Sequence, residues 1–249
     1  MPNASAEPRR VFVAGASGAV GQPLVRLLVA DGWQVVAATR TPAKAALLQQ
    51  LGAEPCVVDV FDAAALHTAL RQAAPHAVIH QLTDLRGIQE PALRPALLER
   101  NAELRIHGTR NLIAAAEAAG VMRMVAQSIA FIYAPGATPH VEHDPLSEDA
   151  SHQGTVDAVR QLEQQVLQAQ LTGLVLRYGH FYGPGTGVAA PPSGGPVHVH
   201  AAADAARKAL SLGAAGIYNI AEDDGAVSSH KARQALGWAP EFRIHEDMK

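Results

Sequence analysis

Val11-Phe12-Val13-Ala14-Gly15-Ala16-Ser17-Gly18-Ala19-Val20-Gly21 carries an apolar run directly into three glycines spaced three apart, and the helical pattern Val20, Leu24, Leu27, Leu28 follows. A buried strand, a glycine turn and an amphipathic helix in that order build a dinucleotide pyrophosphate site. Gly15 permits the tight turn, Gly18 lets the backbone approach the phosphates, and Gly21 lets the helix pack close with its positive N-terminal end toward the anion. Ser17, Ala19 and Val20 complete the loop expected to hold the cofactor.

Downstream, short β-branched runs alternate with Ala/Leu-rich stretches, the rhythm of right-handed βαβ crossovers and a parallel sheet. The pattern predicts strands near 11–14, 34–38, 55–58, 77–80, 122–127 and 174–177. Helices are predicted near 19–30, 42–50, 63–73, 95–119 and 156–170, with Asp62 capping the third and Gly32, Gly52 and Gly120 closing three of them. The fold class is α/β, a Rossmann-type doubly wound parallel sheet. After Gly183 the chain is dense in Gly and Pro to Pro196, then carries only short elements near 201–212, 217–220 and 229–236. The predicted division is a nucleotide-binding domain over 1–182 and a small, reduced C-terminal lobe over 183–249.

Composition narrows the function classes. The 249 residues are 48% apolar and 17% charged with a net charge of −3, which gives no electrostatic footprint for nucleic acid or a membrane surface. No segment has the run of apolar residues that spans a bilayer, and Met1 to Arg10 lacks the core of a signal peptide and reads as a frayed tail. The single cysteine, Cys56 in Cys56-Val57-Val58, reads as a buried structural thiol and fits a reducing cytoplasm.

At the end of the second strand, where an acidic residue would bond the ribose 2′-hydroxyl of NAD, the chain has Thr39 and Arg40. The guanidinium fork suits a 2′-phosphate, so NADP(H) is favoured and NAD(H) stays open. Lys44, one turn on, can support that phosphate. Asp59, ending the third strand beside Val60, can accept a bond from the adenine amino group, and both are assigned to the cofactor site.

These residues resemble the extended and atypical short-chain dehydrogenase/reductases, the NAD-dependent epimerase/dehydratase-like group. The resemblance covers most of the chain: the glycine loop, Asp59, His80-Gln81-Leu82-Thr83, the stretch from Asn101 to Asn111, Ser128 with Tyr133, and Leu176 to Gly185. It implies that Gln81, Leu82, Thr83, Asn101 and Tyr178 line the cofactor, that Ser128 faces the nicotinamide, and that Gly179 to Tyr182 flank it. It also exposes a departure. The family's Tyr-x-x-x-Lys pair, in which lysine lowers the tyrosine pKa for proton exchange with a substrate oxygen, falls on Thr155 and Val159.

Another proton donor is therefore required for carbonyl chemistry. Tyr133, on the loop after Ser128, is the first choice. His180 is the second, with an ordinary pKa near ~6.5, and Tyr178 and Tyr182 lie nearby in sequence. The reading is an NADP(H)-dependent oxidoreductase acting on a small carbonyl or alcohol with Ser128, Tyr133 and His180 as candidate catalytic residues. The alternatives are a non-catalytic NADP(H)-binding sensor or assembly protein and a nucleotide-sugar epimerase or dehydratase. The Ala-rich helices allow a homodimer. His198 and His200 would share one face of a strand, but with no recognisable third ligand no metal site is assigned.

Overall fold

A computed structural model describes residues 9–244. The chain runs β1 (Arg10–Ala14), α1 (Gly21–Ala30), β2 (Gln34–Thr39), a 3-10 turn (Pro42–Lys44), α2 (Ala45–Gln50), β3 (Glu54–Val57), α3 (Ala63–Ala73) and β4 (Ala77–His80). It continues through α4 (Arg94–Glu103), a π-helical turn (Leu104–Gly108), α5 (Thr109–Ala118), β5 (Arg123–Ile129), α6 (Gln153–Gln168), β6 (Thr172–Tyr178) and β7 (His180–Tyr182). The last elements are β8 (Pro196–His198), α7 (Val199–Ala209), β9 (Gly216–Ile220) and α8 (His230–Leu236).

The central sheet has seven parallel strands in the order β3-β2-β1-β4-β5-β6-β9. The strand order reverses between β1 and β4, and the crevice at their carboxyl ends is where such sheets bind ligands. Strand residues alternate between two covered faces. Val11 and Val13 pack with Leu24, Leu28 and Leu176 under α1 and α7, while Phe12 and Ala14 pack with Leu66, Leu70, Leu112 and Leu162 under α3, α5 and α6. Burial on both faces explains why β1 reads as a continuous apolar run.

The Asp62 carboxylate accepts a bond from the Ala65 amide at 2.9 Å, the expected N-cap. Several expectations are corrected. The helix expected over 95–119 is interrupted by one wider turn, in which an inserted residue shifts the register. Arg10 belongs to β1, and Met1–Pro8 of the expected tail lie outside the described residues. Cys56 is half-buried, because β3 is the edge strand and leaves one flank open.

Described elements after Gly183 join the central sheet and its core. β9 extends the central sheet beside β6, and α7, whose buried face is almost entirely alanine, lies against α1 in the same core. His198 and His200 do not share a strand face. His198 ends β8 and caps α7, its Nδ1 accepting the His200 amide at 3.1 Å.

Candidate cofactor and reaction site

The turn after β1 assigns separate work to its glycines. Gly15 has φ +90°, and a Cβ there would sit 2.4 Å from the Gln81 carbonyl oxygen. At Gly21 a Cβ would lie 2.2 Å from the Gly15 carbonyl, so α1 can start only without a side chain. Gly18 is exposed and meets nothing closer than the Gly15 oxygen at 3.3 Å. The turn is closed by its own backbone, Gly18 N–H donating to Gly15 at 3.1 Å, and leaves an open face beside the N-terminus of α1. Lys44 Nζ donates to Ser17 Oγ at 3.2 Å, setting a cation against the loop.

The segment following β4 forms the facing wall. Gln81 N–H bonds to Ala14, and Gln81 Oε1 is a buried acceptor without a partner among the described residues. An open glycine cradle with an orphan acceptor beside it fits a dinucleotide. Leu82 is half-buried and Thr83 exposed on this wall. Asn101 is 2% exposed and its Oδ1 accepts the Asp84 amide, so it anchors the wall from behind. Arg40, largely exposed at the end of β2, pairs with Asp84 at 3.1 Å. Asp59 is exposed and accepts the Phe61 amide, while the carbonyl of buried Val60 accepts from Asn111.

His80 fixes the start of the wall. Its Nδ1 accepts the Leu82 amide, so Nε2 carries the proton and donates to Thr109 Oγ1 at 2.9 Å. Complete burial, aided by the Arg105 charge, lowers its pKa from the usual 6.5 to about 4. Between those values the unfolded chain binds a proton that the folded chain refuses, so the stabilisation is full above pH 6.5 and lost as pH falls. Lowering pH from 7 to 5 is expected to remove about 2 kcal/mol through this residue, or roughly 4–8 °C of melting temperature. Melting a His80→Asn variant at both pH values should show that increment missing.

The candidate catalytic hydroxyls of Ser128 and Tyr133 are brought into one hydrogen-bonded row. Ser128 is 1% exposed and its Oγ donates to Glu163 Oε1 at 2.7 Å. Arg177 grips the same carboxylate from two sides, Nε to Oε1 at 2.8 Å and Nη2 to Oε2 at 2.6 Å. Arg177 Nη1 donates to Tyr133 Oη, which donates to Asn219 Oδ1 at 2.6 Å. Strand register builds this row, since Ser128, Arg177 and Asn219 are direct neighbours across β5, β6 and β9. Burial works to lower the Arg177 pKa, but the bonds to Glu163 and its charge outweigh it; burial raises that of Tyr133. Both hydroxyls are thus engaged by one network, Ser128 buried and Tyr133 half-buried.

Tyr178 lies behind the wall. It is fully buried, donates to the Ala202 carbonyl and accepts from Gln81, so its contribution is to brace the wall. Tyr182 Oη is held between Glu222 and Arg243. His180 is half-buried, its ring stacked 4.1 Å from exposed Phe131, and burial lowers its pKa. Where the tyrosine-lysine pair would stand, Thr155 is half-buried and Val159 is 0% exposed in an aliphatic cluster with Ile129, Ile132 and Val156. A cleft of about 250 Å³ bounded by Ala19, Gln22, Pro184, Gly185 and His200 joins the glycine turn to the loop after β7.

Sequence reasoning missed Glu163, Arg177 and Arg105. Arg105 had a visible signal: it follows Asn101 by one helical turn on the buried stripe Leu97, Asn101, Leu104, Gly108, Leu112. Among the described residues no group of three or more His, Cys, Asp or Glu could hold a metal ion, and no helix is long and apolar enough to cross a membrane.

Comparison with known proteins places these features in context. A family model described as NAD(P)H-binding matches residues 15–211. A 3-diazoavenalumate denitrifying reductase from a Streptomyces species is 38% identical over 94% of this chain and 80% of its own length. Among solved structures, a UDP-glucose 4-epimerase with UDP-glucose from Thermotoga maritima has a TM-score of 0.74 at 19% identity, over 96% of both chains. Another UDP-glucose 4-epimerase, from Thermus thermophilus and in complex with NAD, has a TM-score of 0.72 at 21% identity, over 96% of both.

Proposed function

This chain belongs to the NAD(P)H-binding family, in the extended and atypical short-chain dehydrogenase/reductase group, and on that premise we propose that it is an NADP(H)-dependent reductase whose substrate needs no proton from the protein, an arene carrying a diazo group. The carrying observation is the aliphatic cluster at Val159. Reducing a carbonyl requires a proton for the oxygen, and here the relay position is sealed by Ile129, Ile132 and Val156 while the hydroxyls of Ser128 and Tyr133 are bound elsewhere.

When bound, the nicotinamide supplies a hydride, and Ar–N₂⁺ + NAD(P)H → Ar–H + N₂ + NAD(P)⁺ balances in atoms and charge with no proton. The carbon–nitrogen bond breaks with its electron pair leaving on dinitrogen. The protein's task is then orientation and exclusion of water. The Streptomyces relative, named for denitrifying a diazo compound, supports this class.

In this reading Gly15 to Gly21 hold the pyrophosphate, Gln81 to Thr83 the nicotinamide half, and Asp59 and Val60 the adenine. Arg40 and Lys44 take the 2′-phosphate, and residues 183–244 complete the substrate side. Mixing protein, NADPH and an arene diazonium salt should consume both, release dinitrogen and yield the arene above the protein-free rate, and NADH should serve less well. Arg40→Glu should weaken NADPH binding about 10–100-fold, roughly 1–3 kcal/mol, with NADH little changed; equal losses would remove Arg40 as the reader of the phosphate.

A carbonyl substrate is the second reading, favoured by His180, whose half-buried imidazole stacks on exposed Phe131 and lies outside the network that holds Ser128 and Tyr133. NADPH oxidation by an aromatic aldehyde, with the diazonium salt inert, would select it.

A further inference from the structure

Arg105 is 7% exposed, yet its guanidinium makes no hydrogen bond and no ion pair with any described residue. Arg177 shows the usual alternative, equally buried but held by Glu163, Tyr133 and the Glu142 carbonyl. Glu163 acts on Arg105 only through space, because both its oxygens are taken by Ser128 and Arg177. Its nitrogens are not sealed from solvent, so this largely buried cation keeps an edge on which a ligand can complete the pair. The residue sits in the π-helical turn between α4 and α5, a distortion of the kind found at functional sites.

Its position selects the ligand. Arg105 stands one helical turn before Thr109, whose Oγ1 bonds His80 at the carboxyl end of β4, and its charge acts on that imidazole, whereas Arg40 and Lys44 stand at the end of β2 and against the glycine loop. We infer that Arg105 is the seat for a carboxylate on the substrate, fixing the reacting ring by a two-oxygen, two-nitrogen pair; the substrate identity rests on the reading above. A planar carboxylate matches the guanidinium fork, which a lysine cannot reproduce.

The test is calorimetric titration of the NADP⁺-loaded protein with trans-cinnamate and with trans-cinnamamide, its neutral counterpart. Cinnamate should bind at least tenfold tighter than the amide. Arg105→Met should lose about 30-fold or more for cinnamate, keep its amide affinity, hold NADP⁺ within a factor of two, and melt no lower without ligand, because no hydrogen-bonded protein partner is lost. Arg105→Lys should recover only part of the cinnamate affinity. Equal binding of acid and amide by the unaltered protein would overturn the assignment with no variant needed. A tenfold loss of NADP⁺ affinity in Arg105→Met would overturn it in favour of a cofactor oxyanion. Carboxylate selectivity without diazonium reduction would sink the proposed reaction and leave this site standing, and the converse would do the reverse.

Discussion

Glu163→Gln is expected to cost about 3–5 kcal/mol and lower the melting temperature by roughly 6–20 °C. The substitution preserves shape and removes only the charge, leaving Arg177, 3% exposed, without the carboxylate that holds two of its nitrogens. Ser128 keeps an acceptor, so the loss comes from the uncompensated guanidinium. Adding Arg177→Met should return much of the stability, since it removes the uncompensated guanidinium and leaves only neutral side chains at the two positions. A single-variant cost under about 1 kcal/mol, or no recovery in the double variant, would show that water reaches Arg177 and that the row from Ser128 to Asn219 is not sealed. NADPH binding measured well below the transition should change little, which separates this network from the cofactor site.

That separation marks where sequence reading reached and where it stopped. The strand, glycine turn and helix over 11–30 are local, and their periodicity and glycine spacing act within a few residues, so they were legible. The order β3-β2-β1-β4-β5-β6 follows from right-handed crossovers. The return of β9 to the sheet was hidden, because Gly216 to Ile220 is short and lies beyond a Gly/Pro-rich stretch that reads as a boundary. Ser128 and Tyr133 stood out in the sequence, but the partners they bond did not. Facing Glu163 rather than a cleft depends on which register neighbours Arg177 and Asn219 provide, a non-local fact absent from any motif. The π-helical turn was equally invisible, since one extra residue in a helix leaves composition unchanged while rotating Arg105 relative to Asn101.

Gly18→Val is expected to weaken NADPH binding at least 100-fold, about 2.7 kcal/mol or more, while costing only about 1 kcal/mol of folding stability. The three glycines divide their labour, and only this one is free of the fold. Side chains at Gly15 and Gly21 would strike backbone oxygens at 2.4 and 2.2 Å, so variants there disturb the β1–β4 contact or the start of α1 before any ligand is considered. At Gly18 an added side chain meets only the Gly15 oxygen at 3.3 Å, a contact relieved by a few tenths of an ångström, and otherwise points into the open face. The cost therefore falls on whatever occupies that face. Calorimetry with NADPH beside thermal melts reads the two quantities independently. A Gly18→Val protein that melts normally and binds NADPH undiminished would place the nucleotide away from this turn. Loss of binding with the fold intact would tie the pyrophosphate to the stretch from Val11 to Gly21.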